Sequence, residues 1–428
     1  MYRDKLNDLL SFKNKNFIKV ITGVRRCGKS TLLDLYSKEL EKDKQNNIIK
    51  INFEEFKYQY MTDKELYDLL KPQIKSNTYL LLDEIQRIKN WELVINSLFS
   101  EYKENIDIYI TGSNAYLLSG KLSTYLAGRY VEIRLYPFSF KEFLEFHKLE
   151  TNNKSFDAYI KYGGMPGLHG SFIQTIIDLK MEKKDDGLYD LVLENGGFAL
   201  EYGDVKLKNE TIVNTIFDGI CSSIIMKDIL EQIQIKDVKL LKQIILFLSD
   251  NIGNITSLTN IKNTLKTETK GEKNHISTIE NYILALQNAF LFYEVERYDI
   301  KGKEFLKTLN KYYIVDVGLR NYLLGKVNND GGLLENIVFL ELMKRNYKVF
   351  IGKINNVEVD FIAEKNGERI YFQVCKTMMT EETKERELKP LKMIKDNYEK
   401  IVLSMDELFL GNEEGIQHKN IINWLLEE

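Results

Sequence analysis

A lysine, a serine and two carboxylates stand at spacings suited to handling a phosphate chain. Residues 23–30 read Gly-Val-Arg-Arg-Cys-Gly-Lys-Ser, and Gly23, Gly28, Lys29 and Ser30 satisfy G-x-x-x-x-G-K-[ST]. In such a loop the glycines let successive N–H groups turn inward, and the N-terminus of the helix that follows adds partial positive charge. Lys29 would reach the β- and γ-phosphates and the Ser30 hydroxyl would ligate Mg²⁺, with Arg25, Arg26, Cys27 and Thr31 completing the nucleotide loop. Roughly 55 residues on, Asp83 and Glu84 end the apolar run Tyr79–Leu82. Asp83 is the expected second metal ligand, and Glu84 the group that polarises an attacking water. Ser113 and Asn114 follow a further apolar run, where they either sense the γ-phosphate and the lytic water or cap a helix, two roles that can coexist. Arg129 follows Gly128. It either stabilises transition-state charge, in its own site or a neighbouring subunit's, or is a surface arginine in a salt bridge.

These groups can act together only if short strands deliver them to one edge. Val20 and Ile21 lead into the loop, and Leu32, Leu33, Leu35 and Tyr36 follow at helical spacing, giving strand, loop, helix. Ile48, Ile49, Ile51 and Phe53 predict a second strand ending in Glu54 and Glu55, which either approach the metal or are solvated. Tyr79–Leu82 has the continuous apolar character of a parallel strand buried on both faces, and Ile106–Thr111 predicts a further, largely apolar strand. Tyr130, Val131, Ile133 and Leu135 alternate as a strand does, and a polar leading helix carries Leu6, Leu9 and Leu10 on one side. The pattern predicts an α/β, doubly wound parallel-sheet P-loop NTPase domain over residues 1–170.

A chain of 428 residues exceeds one core and implies two to four domains. A net charge of −3 with 29% charged residues argues against a uniformly basic nucleic-acid binder, so any such surface is a local patch. Cys27, Cys221 and Cys375 show no C-x-x-C spacing, so neither a disulfide framework nor a zinc site is indicated, and a reducing compartment fits. The first residues lack an apolar signal core, and no stretch approaches the ~18 apolar residues that span a bilayer. The expectation is a soluble, cytoplasmic protein with no membrane contact.

The remainder divides into a helical lid at 171–235, a winged helix at 236–328 and an α/β restriction-endonuclease-like domain at 329–428. Tyr162-Gly163-Gly164-Met165-Pro166-Gly167 is a turn-forming cluster, while residues 185–210 lack a strong period and suggest an insertion or loop. In the winged helix, Ser277, Thr278, Glu280 and Asn281 would face outward, with Lys301, Lys303 and Lys307 on the wing. That surface either enters a DNA groove, diluted by Glu280, Glu294 and Glu296, or serves only packing. Glu335 on a helix and Asp360 on a strand fit a nuclease centre, but Gln373 stands where the second acid belongs and Cys375 where the lysine belongs. Lys376, one residue off, points to the opposite face unless a bulge shifts the register. The reading is a centre that has lost hydrolysis, with Asp360 and Glu335 or Glu358 surviving.

The motifs GVRRCGKS, LLLDEIQ, TGSNA, LAGRYVEIRLYPFSFKEF and YGGMPGL resemble, in order, those of AAA+-type P-loop ATPases, within them the archaeal and bacterial family whose loop reads G-V-R-R-x-G-K-S. The resemblance covers nearly the whole chain, since such proteins carry a C-terminal domain of unknown function that looks like a nuclease fold. It implies binding and hydrolysis of ATP with Mg²⁺, with Lys29, Ser30, Asp83, Glu84 and Ser113 or Asn114 at matching positions. Two functions remain open. One is a nucleotide-driven machine that moves its C-terminal domains on DNA or a protein partner, as a homo-oligomer if Arg129 acts in trans. The other is a nucleotide-gated interaction protein with little turnover, and an active C-terminal centre would make it an ATP-regulated nuclease.

Overall fold

The computed structural model describes residues 3–118, 126, 128–167, 179–183, 189–193, 202–230, 235, 237–268, 276–327, 331–408 and 411–427. They form two compact units: Met1–Tyr136 with Ser223–Gln232 and Asn288–Phe290, and Pro137–Ser222 with Ile233–Gln287 and Leu291–Glu428. No helix among the described residues is long and apolar enough to cross a membrane.

In the first unit, helix α1 (Asp4–Ser11) precedes β1 (Ile18–Thr22), α2 (Lys29–Leu40), β2 (Asn47–Asn52), α3 (Asp63–Leu70), β3 (Thr78–Asp83), α4 (Trp91–Glu101), β4 (Ile106–Gly112) and β5 (Tyr130–Arg134). The five strands lie in the order β2-β3-β4-β1-β5, all parallel. Every residue of β1, β3 and β4 is buried, as in a parallel sheet covered on both faces, and the charges of Lys19 in β1 and Asp107 in β4 pair with each other there. On one face Leu80, Leu82, Ile108 and Ile110 meet Trp91, Ile95 and Leu98 of α4, each such side chain contributing about 1.5–3 kcal/mol when withdrawn from water. Register places Thr22 beside Gly112 and Leu82 beside Ile110, so β1, β3 and β4 end at a common edge.

The second unit opens with α5 (Phe140–His147) and α6 (Asn153–Tyr162), followed by the hairpin β6 (Leu179–Lys183) and β7 (Tyr189–Leu193) and by α7 (Tyr202–Ser223). Residues 185–210, expected as an insertion without regular structure, therefore hold β7 and the start of a long helix. The hairpin pairing that orders β7 is with residues upstream, outside any local period. Helices α8 (Val238–Asp250), α9 (Leu258–Glu268) and α10 (Ile276–Asn288) then lead to β8 (Phe292–Asp299) and β9 (Glu304–Ile314). Thr256 bridges Asn310, which ties the three helices to the hairpin in the element order expected of a winged helix. After α11 (Val317–Leu324) and α12 (Gly331–Lys344), the meander β10 (Lys348–Ile354), β11 (Val357–Lys365) and β12 (Glu368–Val374) is followed by α13 (Glu381–Met393), β13 (Glu399–Ser404), β14 (Gly411–Glu413), β15 (Ile416–Asn420) and α14 (Ile421–Leu426). This is the additional C-terminal α/β layer that the sequence predicts. Its sheet does not stop at residue 328, however: β8 pairs in parallel with β10, giving one eight-stranded order β14-β15-β13-β12-β11-β10-β8-β9.

The Tyr162–Gly167 cluster wraps a buried carboxylate. Asp316 accepts the N–H of Gly164 at 2.7 Å and that of Leu319 at 2.8 Å, which starts α11. Gly163 has φ +70°, and a Cβ there would lie 2.2 Å from Asp316 Oδ1, so no larger residue fits. Burial pushes the Asp316 carboxyl up to about 6, against the pull of those backbone donors.

Candidate functional site

The loop from Gly23 to Ser30 joins the end of β1 to α2. Gly23 (φ +149°) lies so close to the chain after β5 that a Cβ would approach Leu135 O to 2.2 Å, and Gly28 (φ +98°) turns the backbone into the helix. Lys29 is buried, its Nζ donating to Gly23 O at 2.9 Å and Val24 O at 3.2 Å. Ser30 and Thr31 are exposed on the first turn of α2, as is Arg26 in the loop. Cys27 is fully buried, burial raises its thiol pKa, and its N–H donates to Val24 O at 3.2 Å, so its side chain is part of the loop's packing. Sequence reasoning gave the leading segment no chemistry. Arg3 nevertheless donates to Tyr136 O at 2.7 Å and to Cys27 O at 3.5 Å, which steadies the loop from behind.

Asp83 and Glu84 stand at the end of β3, both buried. Thr111 of β4 fixes the pair: its hydroxyl donates to Asp83 Oδ1 at 2.5 Å and accepts the Glu84 N–H at 2.9 Å. Glu84 has φ 54°, which bends the chain off the strand, and Gln86 Nε2 donates to its Oε2 at 2.6 Å. Burial raises the Glu84 carboxyl pKa above its ordinary value, only partly opposed by Lys29 and Arg25. Asn114 is buried, and its carbonyl accepts the Leu117 N–H to open a short turn. Ser113 is buried beside it, but its hydroxyl caps nothing: it donates to Asp228 at 2.8 Å.

Asp228 belongs to none of the motifs read from the sequence. It lies in the π-helical turn Ile224–Leu230, expected within a lid, yet this turn packs within the first unit. Arg25 Nε and Nη2 each reach its carboxylate at 3.0 Å. Arg25 Nη1 meets Glu54 at 3.3 Å and Arg87 Nη2 meets the same carboxylate at 3.1 Å, so Glu54 is held by arginines rather than free in solvent. Burial disfavours the Arg25 charge, but the Asp228 carboxylate outweighs it and holds the guanidinium pKa above its ordinary value.

Arg129 is placed elsewhere. Its carbonyl accepts the Ile18 N–H at the start of β1, and its guanidinium donates to Asn96 and Ser100 of α4. The loop lies at the other end of β1, a strand of roughly 13–16 Å, so Arg129 does not serve its own site.

In the second unit Lys311 of β9, 2% exposed, lies against Glu335 at 3.1 Å and Glu358 at 2.6 Å. Asp360 also faces this ammonium electrostatically and accepts the Val374 N–H at 2.8 Å. Burial raises the carboxyl pKa of both Glu335 and Asp360, with Lys311 opposing. Gln373 Oε1 accepts the Asp360 N–H at 2.9 Å while its Nε2 donates to Glu387 at 3.2 Å, a pairing of roles that a carboxylate could not fill. Cys375 is buried, and burial holds its thiol far above the ordinary value. Lys376 is exposed beyond the end of β12, and β11 and β12 pair without a register shift from Phe361 to Lys365, so no bulge brings it inward. On α10 Ser277, Glu280 and Asn281 are exposed and Thr278 is half-buried; Lys301 and Lys303 are exposed on the wing, and the side chain of Lys307 lies outside those described. Among the described residues no group of three or more His, Cys, Asp or Glu is arranged to hold a metal ion.

Comparison with known proteins adds the lineage. The AAA domain family matches residues 15–144, and a domain of unknown function matches residues 193–330. A protein of Haemophilus influenzae described as uncharacterized is 40% identical over 99% of this chain and 97% of its own length. Another, from Methanocaldococcus jannaschii, is 32% identical over 94% of this chain and 84% of its own. Among solved structures, a Walker-type ATPase of Pyrococcus abyssi is similar at 15% identity and a TM-score of 0.47, covering 75% of this chain and 95% of that one. With its Gly-rich loop, its buried Asp-Glu strand end and its parallel strand order, this chain belongs to the AAA-type P-loop ATPase family, in a branch whose ATPase domain is followed by a domain of unknown function.

Proposed function

We propose that this protein binds Mg·ATP, hydrolyses it, and passes its nucleotide state to the winged-helix and C-terminal layers, which engage DNA or a protein partner. The observation that carries the reading is the convergence of Lys29, Ser30, Asp83, Glu84 and Ser113 at the carboxyl ends of three adjacent parallel strands. The residues suit the cofactor: Lys29 is held under the loop by two carbonyls, Ser30 is exposed on the first turn of α2, and Asp83 is oriented by Thr111. Ser30 and Asp83 would hold Mg²⁺, which would supply positive charge against the negative charge that develops on the phosphates. Lys29 would neutralise the terminal phosphates. Glu84, with its raised proton affinity, would orient and deprotonate the attacking water, while Ser113 and Asn114 frame its position. Arg129, exposed at the far edge, suits a role in a neighbouring subunit's site, which requires a homo-oligomer.

The test is steady-state ATP hydrolysis and nucleotide binding by the full chain, with and without duplex and single-stranded DNA. Lys29→Ala should abolish binding, whereas Glu84→Gln should keep binding and lose turnover by about 10²–10⁴-fold, the range for removing a general base. Turnover by Glu84→Gln at the parent's rate would overturn the assignment. Stimulation by DNA would favour a nucleic-acid partner over a protein one.

A further inference from the structure

We propose that Asp228 is an internal stand-in for the terminal phosphate, a latch that holds Arg25 and Ser113 until ATP displaces it, so that the turn Ile224–Leu230 reports which nucleotide is bound. This rests on the ATP reading above and deepens it. Arg25 is the third residue of the loop and Ser113 follows β4, the strand between β1 and β3, so both border the place assigned to the γ-phosphate and the attacking water. Guanidinium takes two kinds of anion in forked geometry, carboxylate and phosphate. Here the fork is occupied by a carboxylate: Nε reaches Oδ2 at 3.0 Å and Oδ1 at 3.3 Å, and Nη2 reaches Oδ1 at 3.0 Å. The remaining arm, Nη1, lies on Glu54. Asp228 also takes the Ser113 hydroxyl and is 1% exposed. A phosphate entering beside this sealed carboxylate would meet like charge with little water to screen it, and would offer Arg25 and Ser113 the same acceptors. One anion must leave. The diphosphate of ADP, lacking the third phosphate, has no such conflict.

The turn is built to let go. Asp228 anchors it with the fully buried side chains of Ile224 and Ile229, while Ile225 and Leu230 are half-buried and Met226 and Lys227 exposed. Its π-helical winding is a less favourable hydrogen-bonding geometry than an α-helix. The chain enters the turn from Ser222 and leaves it toward Ile233, both residues of the second unit, so release alters a link that is covalently continuous with that unit at both ends.

Hydrogen exchange on the full chain with Mg²⁺ tests this, comparing no nucleotide, ADP and a non-hydrolysable ATP analogue. The analogue should raise exchange of the 224–230 amides and ADP should not. Asp228→Asn should bind the analogue about tenfold more tightly, as expected if the latch is closed in roughly nine molecules in ten, with ADP affinity unchanged within about twofold. Its turn should exchange rapidly without nucleotide. If the analogue binds the parent but leaves the turn equally or better protected, and Asp228→Asn binds it no more tightly, Asp228 is a fixed structural pin and the latch is refuted. Should Asp228→Asn fail to fold, exchange in the parent decides alone. A parent that bound neither nucleotide would instead refute the ATP reading, and the latch with it.

Discussion

Replacing Lys311 with methionine removes one ammonium from among Glu335, Glu358 and Asp360 and leaves a side chain of similar length. Lys311 is 2% exposed, and Glu335 and Glu358 are 14% and 29% exposed, so solvent screens little of the attraction. Removing one partner of a buried pair destabilises by about 3–5 kcal/mol, because the remaining charge is stranded. At about 2–4 °C per kcal/mol, melting of the second unit should fall by roughly 6–20 °C near neutral pH. The dependence on pH has a definite sign. In the parent, burial opposes the Lys311 charge but the three carboxylates prevail, raising its pKa; its contribution is present below the unfolded value of about 10.4 and is lost only as pH rises beyond that. In the variant, Glu335 and Asp360, already raised by burial, rise further without their cation. A carboxyl whose folded pKa is raised stabilises at low pH, and the stability is lost as pH rises through the folded value. The deficit of Lys311→Met should therefore be largest near pH 8 and shrink toward pH 5, measured by urea unfolding across that range. A loss below about 1 kcal/mol, or one that does not change with pH, would refute the idea that this lysine neutralises the cluster.

Other outcomes follow from the same groups. ATP turnover should show an acidic limb at a pH above that of an exposed glutamate, about 4.3, because burial raises Glu84 and only its ionised form accepts the water's proton; a rate flat down to pH 5 would contradict this. If Arg129 works in trans, mixing Arg129→Ala with Lys29→Ala subunits should restore part of the turnover each lacks, and a strictly monomeric, fully active protein would remove that role. DNA and RNA incubated with the protein in Mg²⁺ or Mn²⁺, with and without ATP, should stay intact, since Gln373 and Cys375 bring no charge to the C-terminal cluster; cleavage abolished by Asp360→Ala would reverse that reading.

What the sequence made legible was local. The loop from Gly23 to Ser30 and the acidic end of β3 announce themselves because strand, turn and ligand are neighbours in the chain, and the Asn366-Gly367 turn joins β11 to β12 with both residues at positive φ, as their types demand. What stayed hidden was long-range. Asp228 meets Ser113 across 115 positions, Lys311 arrives from the wing, and Arg3 reaches back to the loop. No window of periodicity registers an ion pair closed by tertiary folding. Thr111 looked like the last residue of a strand, and only the register of β3 against β4 makes it the hinge pin of both acidic residues. Arg129 stands just before β5 as the sequence suggests, but only the parallel pairing of β5 with β1 shows that this beginning lies away from the ligand edge.

The pairing of β8 with β10 bears on how the second unit can be handled and how it can move. Cutting the chain at residue 328 would strip β8 of its neighbour at Arg297–Asp299 and bare a row of unpaired amides and carbonyls on each piece, an invitation to aggregate. The fragments are therefore poor reagents for asking what the wing or the last hundred residues do alone. The same backbone ladder leaves no joint at which the wing could swivel independently. A ligand that pushed on β9 would tilt the meander bearing Asp360 with it, much as pressing one slat of a glued panel moves the whole board.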